Sequence, residues 1–378
     1  MLMAAFFRIR HSRARSDDEI VVVLMEQKKY IFLRSLLSPK GRQCMDSKPV
    51  QLSNSADTPV TPPEIIEAAT AGRLILFVGA GVSRLAGGPS WADAADIAFK
   101  ELVDKGLLPF AEAEQLRTEH PKKRLSIAMD ISEEASLKMN FERIFCPPEE
   151  QIDAQIYRDL YSLGVPIVTT NYDAGLDRQA EMELPLSGTV QAASTLESKK
   201  VDVSSRKPGA VYFNKRDLTI EKLMQPGAVI HLHGSVRNHK TMVVSTRQYM
   251  NHYGDEFVRT FLGQLFEGDY SVLFIGYGLD EEEVIEYITQ KNRKSTTSTV
   301  CETKHFWLYP HLAYQEARFK HLSSYYLNHC NVSLVKFSID RAGYCQLKDV
   351  IVDWIEVLRS KVRAPEFLDK IRLIDKVI

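Results

Sequence analysis

The chain has 378 residues, 44% of them hydrophobic and 26% charged, with a formal net charge of −1. That composition suffices for a large packed core and excludes a chain disordered throughout, while the charge provides no global attraction to nucleic acid or anionic membranes. No apolar run approaches the ~20 residues that span a bilayer, and Cys44, Cys146, Cys301, Cys330 and Cys345 include no CxxC pair, which fits a reducing compartment and leaves no structural zinc ribbon.

The first fifteen residues, MLMAAFFRIRHSRAR, are arginine-rich and free of acids, a composition shared with transit peptides. The simpler reading makes residues 1–60 an extension and linker, with Met45 as an alternative start and a Ser/Pro/Thr-rich stretch at 47–63. Pro62 and Pro63 then suit a first helical turn, Glu64 its positive end and Gly72 its stop. Leu74 to Val78 is an unbroken apolar run, as expected of a parallel strand covered on both faces. Gly79, Ala80 and Gly81 remove side-chain bulk where that strand ends, so a pyrophosphate would approach the backbone amides beside a helix amino terminus. The same GxG core also serves merely to turn a strand into a helix. A helix is predicted from Trp91 to Asp104 and others at 111–119, 124–139 and 150–163, so 92–163 reads as a helical insertion that caps the site or meets other subunits.

Val165 to Thr169 is the next strand, followed by Asn171 and Asp173. Two residues apart, they share a crevice if the chain stays extended, and they equally suit a helix cap. Residues 178–227, with only short alternating pieces such as VYFNK, read as a loop-rich second insertion that includes a hairpin. AVIHLHG, VLFIGYG, HFWLYP and VSLVKFS are four further strands, separated by helices near 246–268, 279–292, 312–328 and 346–360, with 364–378 as a tail. The alternation predicts an α/β domain over 61–363: a Rossmann-like, doubly wound, mainly parallel sheet with helical and loop-rich insertions and ligands outside the carboxyl ends of its strands. In AVIHLHG, His231 and His233 share one face of a strand; with no third ligand at a partner spacing, both read first as hydrogen-bonded core histidines rather than metal ligands. In VLFIGYG, Gly276 and Gly278 flank Tyr277 in a second strand-to-helix turn. Walker A, HExxH and Ser or Cys nucleophile motifs are absent.

The first glycine turn resembles the nucleotide loop of the sirtuin family, matching it at Gly79, Ala80, Gly81, Ser83, Gly87, Pro89 and Trp91. Ser90 and Ala92 stand where protein-deacylating sirtuins usually carry an acid and an arginine, and the family's two CxxC pairs are missing. With tryptophan at 91 the loop is similar to a divergent bacterial sirtuin-like branch whose members destroy NAD in antiphage defence. Over residues 61–360 the resemblance implies NAD as substrate, no zinc or other metal, and NAD contacts from Gly79, Ala80, Gly81, Ser83, Trp91, Asp173, Gly276 and Gly278. It implies that Asn171 orients the nicotinamide ribose, that Asp173 holds the carboxamide, and that His233, immediately before a glycine, takes the proton; Ser338 and Asp340 fall where adenine contacts are expected. His231, one pleat deeper, is expected to be structural. The implied activity is NAD+ glycohydrolysis in the cytoplasm, restrained by homo-oligomerisation or by a HerA-type translocase ATPase or short Argonaute partner, without direct nucleic-acid or membrane contact. An NAD-dependent protein deacylase and a non-catalytic module sensing NAD or ADP-ribose are the alternatives.

Overall fold

A computed structural model describes residues 24–26, 29–31, 58–146, 152–181, 209–279, 284–289 and 305–374. The chain divides into two units, Met1–Ser55 and Ala56–Ile378. In the first, β1 (Leu24–Glu26) pairs antiparallel with β2 (Lys29–Ile31), Met25 opposite Tyr30.

The second unit is built on seven strands: β3 (Leu74–Val78), β4 (Ile167–Thr169), β5 (Val211–Tyr212), β6 (Val229–His231), β7 (Ser271–Ile275), β8 (His305–His311) and β9 (Val332–Ser338). They lie in the order β5-β6-β4-β3-β7-β8-β9, every pair parallel. With the two-residue edge strand β5 set aside, this is the 3-2-1-4-5-6 order of a doubly wound dinucleotide fold, whose crevice opens where the winding reverses, here between β3 and β7. In the predicted second insertion, VYFNK begins a short strand. Val211 and Tyr212 pair parallel with Val229 and Ile230, adding an edge strand to the main sheet. Residues 182–208 of that insertion, and any hairpin they carry, lie outside the described residues.

Two-residue periodicity along β3 shows why the sheet is covered twice. Leu74, Leu76 and Val78 enter one core, with α1 (Pro63–Thr70), and Ile75 and Phe77 enter another. After β3 come α2 (Ala80–Leu85), α3 (Trp91–Asp104), α4 (Phe110–Leu116), α5 (Pro121–Glu134), α6 (Phe141–Phe145), α7 (Gln155–Ser162) and, past β4, α8 (Gly175–Glu181). Beyond β5 lie α9 (Ile220–Leu223), α10 (Thr246–Tyr253), α11 (Glu256–Glu267), α12 (Glu316–Cys330) and α13 (Gln346–Ile374). The first core takes Leu160 of α7 and Trp354 of α13; the second takes Tyr253 of α10 and Phe261 and Leu265 of α11.

The predicted insertion divides accordingly. Its early helices form a third core, in which Phe99, Leu125 and Ile144 pack with Tyr172 and Val244, whereas α7 belongs to the sheet. The helix predicted over 246–268 is two, because Asp255 accepts a hydrogen bond from the Phe257 amide at 3.0 Å and starts α11 afresh. At the carboxyl end α13 continues through the predicted tail boundary to Ile374.

Candidate active site

The two glycine turns are stitched to one another above the β3–β7 crevice. The Gly79 amide donates to the Ile275 carbonyl at 3.0 Å, the Gly81 amide to the Gly276 carbonyl at 2.8 Å, and the Val82 amide to the Gly79 carbonyl at 3.0 Å. A Cβ on Gly79 would lie 2.6 Å from Tyr277 Cα, one on Gly81 2.8 Å from Gly276 Cα, and Gly276 itself holds φ +64°. Glycine is therefore required at these positions for loop-to-loop packing, whatever else the loops hold.

Strand β4 ends against the same turn. The Thr169 hydroxyl donates to the Val78 carbonyl at 2.9 Å, the Asn171 amide donates to that hydroxyl at 3.1 Å, and Asn171 Nδ2 donates to the Gly79 carbonyl at 3.0 Å. Asp173 has both carboxylate oxygens fixed: Ser83 Oγ donates to one at 2.5 Å and the Gly175 amide to the other at 2.9 Å. Its charge is felt nearby. Burial first, then the Asp173 carboxylate, push the Cys146 thiol up to about 12, and the same pair of causes, in the same order, raises the Tyr157 phenol well above its ordinary range.

These groups meet on a cleft of about 460 Å³ at the carboxyl ends of the strands. Of the residues singled out in the sequence, Ala80, Ser83, Trp91, Asn171, Asp173, Gly276 and Gly278 line it. Trp91 opens α3, behind a capping box formed by Ser90 and Asp93, and stands edge-on to Tyr172 with ring centroids 6.0 Å apart. Gly79 and Gly81 serve beneath the wall. Ser338 and Asp340 lie off it; Asp340 accepts from the Ser338 hydroxyl and the Ala313 amide. The wall also includes Thr170, which directly precedes Asn171, and His120 and Lys122 at the start of α5 with Phe145, which no motif signals. The helix expected from 124 begins at Pro121, with His120 as its N-cap, which places Lys122 in its first turn.

His233 is not on the wall. It is fully buried, with Nε2 2.8 Å from the Tyr253 hydroxyl and Nδ1 3.5 Å from that of Tyr249, boxed edge-on by both rings and by His252. Burial first, then the charge of Lys122, lower its pKa to about 3, so the ring is neutral at physiological pH. Lys122 links the cleft to this box, its ammonium lying 4.1 Å over the Tyr249 ring.

His231 is the opposite case. Nδ1 lies 2.8 Å from the Asn171 carbonyl and Nε2 2.6 Å from Asp177 Oδ1, so both nitrogens face oxygen acceptors, an arrangement that favours the doubly protonated imidazolium. Burial is the largest influence and disfavours that charge. The Asp177 carboxylate and the Asn171 carbonyl together outweigh it and raise the pKa. Arg237 closes the network, its Nε 3.1 Å from Asp177 Oδ2 and its guanidinium forked on Glu181, whose carboxyl it holds below the usual range. His231, read from the sequence as structural, holds the backbone of the cleft residue Asn171.

Fold and cleft together define a doubly wound α/β protein with a cleft at its switch point. Residues 165–334, from the start of the β4 segment into β9, match the SIR2-like domain, which supports a sirtuin-like family and is consistent with an activity involving NAD. The match includes Asn171, Asp173, His233 and the second glycine turn, while the Gly79–Trp91 loop precedes it. No curated protein matches the chain. Among the described residues, no group of three or more His, Cys, Asp or Glu is placed to hold a metal ion, and no helix is long and apolar enough to cross a membrane.

Proposed function

We propose that this protein hydrolyses NAD+ to nicotinamide and ADP-ribose. The observation that carries the reading is the gathering of Asn171, Asp173 and Ser83 on one cleft over the β3–β7 switch point, inside a fold whose 165–334 stretch matches the SIR2-like domain. In this reaction the bond from C1′ of the ribose to the nicotinamide nitrogen breaks, and its electron pair leaves with neutral nicotinamide. Water oxygen bonds to C1′ and a proton is released. The barrier is the positive charge that develops on the ribose, which oriented polar groups stabilise best where bulk water is displaced. Asp173, immobilised through both oxygens, holds the nicotinamide carboxamide; Asn171, tied to the glycine turn and to His231, orients the ribose. His233 is the neutral base. Because its nitrogens now meet tyrosine hydroxyls, proton transfer to it requires this box to open toward the cleft.

Water is favoured over an acetyl-lysine as nucleophile because the sequence carries neither the CxxC pairs nor the arginine near Trp91 that accompany peptide presentation in deacylating sirtuins. The same reading makes the protein a cytoplasmic effector of antiphage defence, restrained by self-association through the α3–α6 insertion or by a HerA-type ATPase or short Argonaute. Incubation with NAD+, alone and with acetylated peptides, is expected to release nicotinamide and ADP-ribose without peptide. Strict dependence on peptide overturns the hydrolase in favour of a deacylase. Asn171→Ala is expected to lower cleavage by about 10²–10³-fold with binding retained, whereas NAD+ binding without any cleavage by the unmutated protein, partners and trigger present, identifies a sensor.

A further inference from the structure

The diphosphate of a dinucleotide carries two negative charges, and three amides of the turn expected to receive them are already engaged. The amides of Gly79, Gly81 and Val82 already donate to protein carbonyls. The cleft wall meanwhile contains one described lysine or arginine, Lys122, brought in by α5 of the insertion. It is half-buried, rests on the Tyr249 ring and has no described carboxylate within ion-pair distance. Asp173, the buried carboxylate of the same wall, comes from the β4 end and is not paired with it. The cleft thus presents two separate opposite charges, the pattern complementary to a ligand with a cationic ring and an anionic diphosphate.

We propose that Lys122 holds the diphosphate of the bound nucleotide, so that the helical insertion supplies the cationic half of the site and the sheet supplies the anionic half. This rests on the NAD reading for the identity of the ligand, but the anion site itself does not. An ammonium held over a tyrosine face keeps its charge directed without an acid to neutralise it, and a phosphate oxygen replaces only water there. Burying the ammonium against a dianion also relieves its repulsion of a proton on His233, which is felt across the Tyr249 ring.

The test compares wild type, Lys122→Met, which keeps the stem on Tyr249, and Lys122→Arg. Binding of NAD+, ADP-ribose, inorganic pyrophosphate and nicotinamide is measured by calorimetry, together with kcat and KM for NAD+. Loss of one charge-assisted contact to phosphate is expected to weaken the three phosphate-bearing probes by roughly ten- to a hundredfold. Nicotinamide should be unaffected, the change should fall in KM more than in kcat, and arginine should restore binding. Unchanged affinity for all three phosphate-bearing probes in Lys122→Met overturns the proposal and leaves the NAD reading standing. Pyrophosphate binding that depends on Lys122, in a protein that neither binds nor cleaves NAD+, supports the anion site and removes the NAD reading. A wild type that binds none of the anions overturns both.

Discussion

His231 and His233 are separated by one residue, yet their surroundings impose opposite states on the same side chain. Around His231 the protein offers a carbonyl and a carboxylate, which favour the imidazolium. Around His233 it offers two phenols, a second imidazole and the field of Lys122, and the ring is neutral. Burial alone therefore says nothing about the charge of a histidine; the partners decide. The charged ring is locked between Asn171 and Asp177 and has no proton to exchange without breaking the network. The neutral ring keeps a free lone pair, and the proposed role of base falls to it on condition that the box that lowers its pKa opens.

The largest expected effect breaks this division of labour if it fails. His233→Ala should reduce NAD+ cleavage by about 10²–10⁴-fold while NAD+ binding persists, measured by nicotinamide release and calorimetry. If His233→Ala stays active while His231→Gln is inactive but folded, the assignment of roles is reversed.

His231→Ala should act chiefly on stability. It leaves Asp177 buried with Arg237 Nε as its remaining charged partner, so the loss should sit near the lower end of the range for breaking a buried pair, about 3 kcal/mol. Urea unfolding measures it. A change below about 1 kcal/mol, within the range of an exposed pair, contradicts a buried imidazolium.

The pH dependence of unfolding sharpens the contrast because the signs differ. The folded pKa of His231 is raised, so its contribution is complete below its ordinary value of about 6.5 and is lost as pH climbs through the folded value. His233 and His252 are both lowered to about 3, so from about pH 6.5 down toward 3 the unfolded chain binds protons that the folded one refuses, and stability falls with acidification. His231→Gln should flatten the alkaline side only. His233→Phe should flatten part of the acid side, the remainder belonging to His252. Superimposable pH profiles for the two variants would refute the comparison.

Much of this frame was legible. The run from Leu74 to Val78 reads as a strand covered on both faces because nothing polar interrupts it, and the Trp91–Asp104 helix is legible in its apolar spacing, its start fixed in the structure by the Ser90–Asp93 capping box. The fate of His233 was not. Period-two alternation places it beside His231 only while the strand lasts, but β6 stops at His231 and Gly234, at φ +78° against the Thr241 carbonyl, turns the chain. The contribution of Lys122 was equally hidden, since the insertion reaches the cleft through packing of its own core on Tyr172, a tertiary contact without local pattern. Two-residue β5 carries too little alternation to distinguish an edge strand from a hairpin arm.

The smallest effect comes from the hydroxyl that separates the two histidine environments most finely. Tyr253→Phe keeps the ring edge-on to His233 and removes only the oxygen 2.8 Å from Nε2. The cost in stability should be about 0.5–1.5 kcal/mol for the lost hydrogen bond, rising toward 3 if Nε2 is left without a partner. Its kinetic effect carries more information than its stability effect. The hydroxyl donates to Nε2 when Nδ1 carries the proton and accepts from it in the other tautomer. If it donates, Nε2 is the basic nitrogen held in reserve, and Tyr253→Phe frees it, leaving kcat unchanged or raised with KM constant. If it accepts, the hydroxyl holds the proton on Nε2, and its loss releases the tautomer and lowers kcat. Because His231 is fixed by charged partners and lacks any such hydroxyl, neither outcome should alter the alkaline limb of the stability profile.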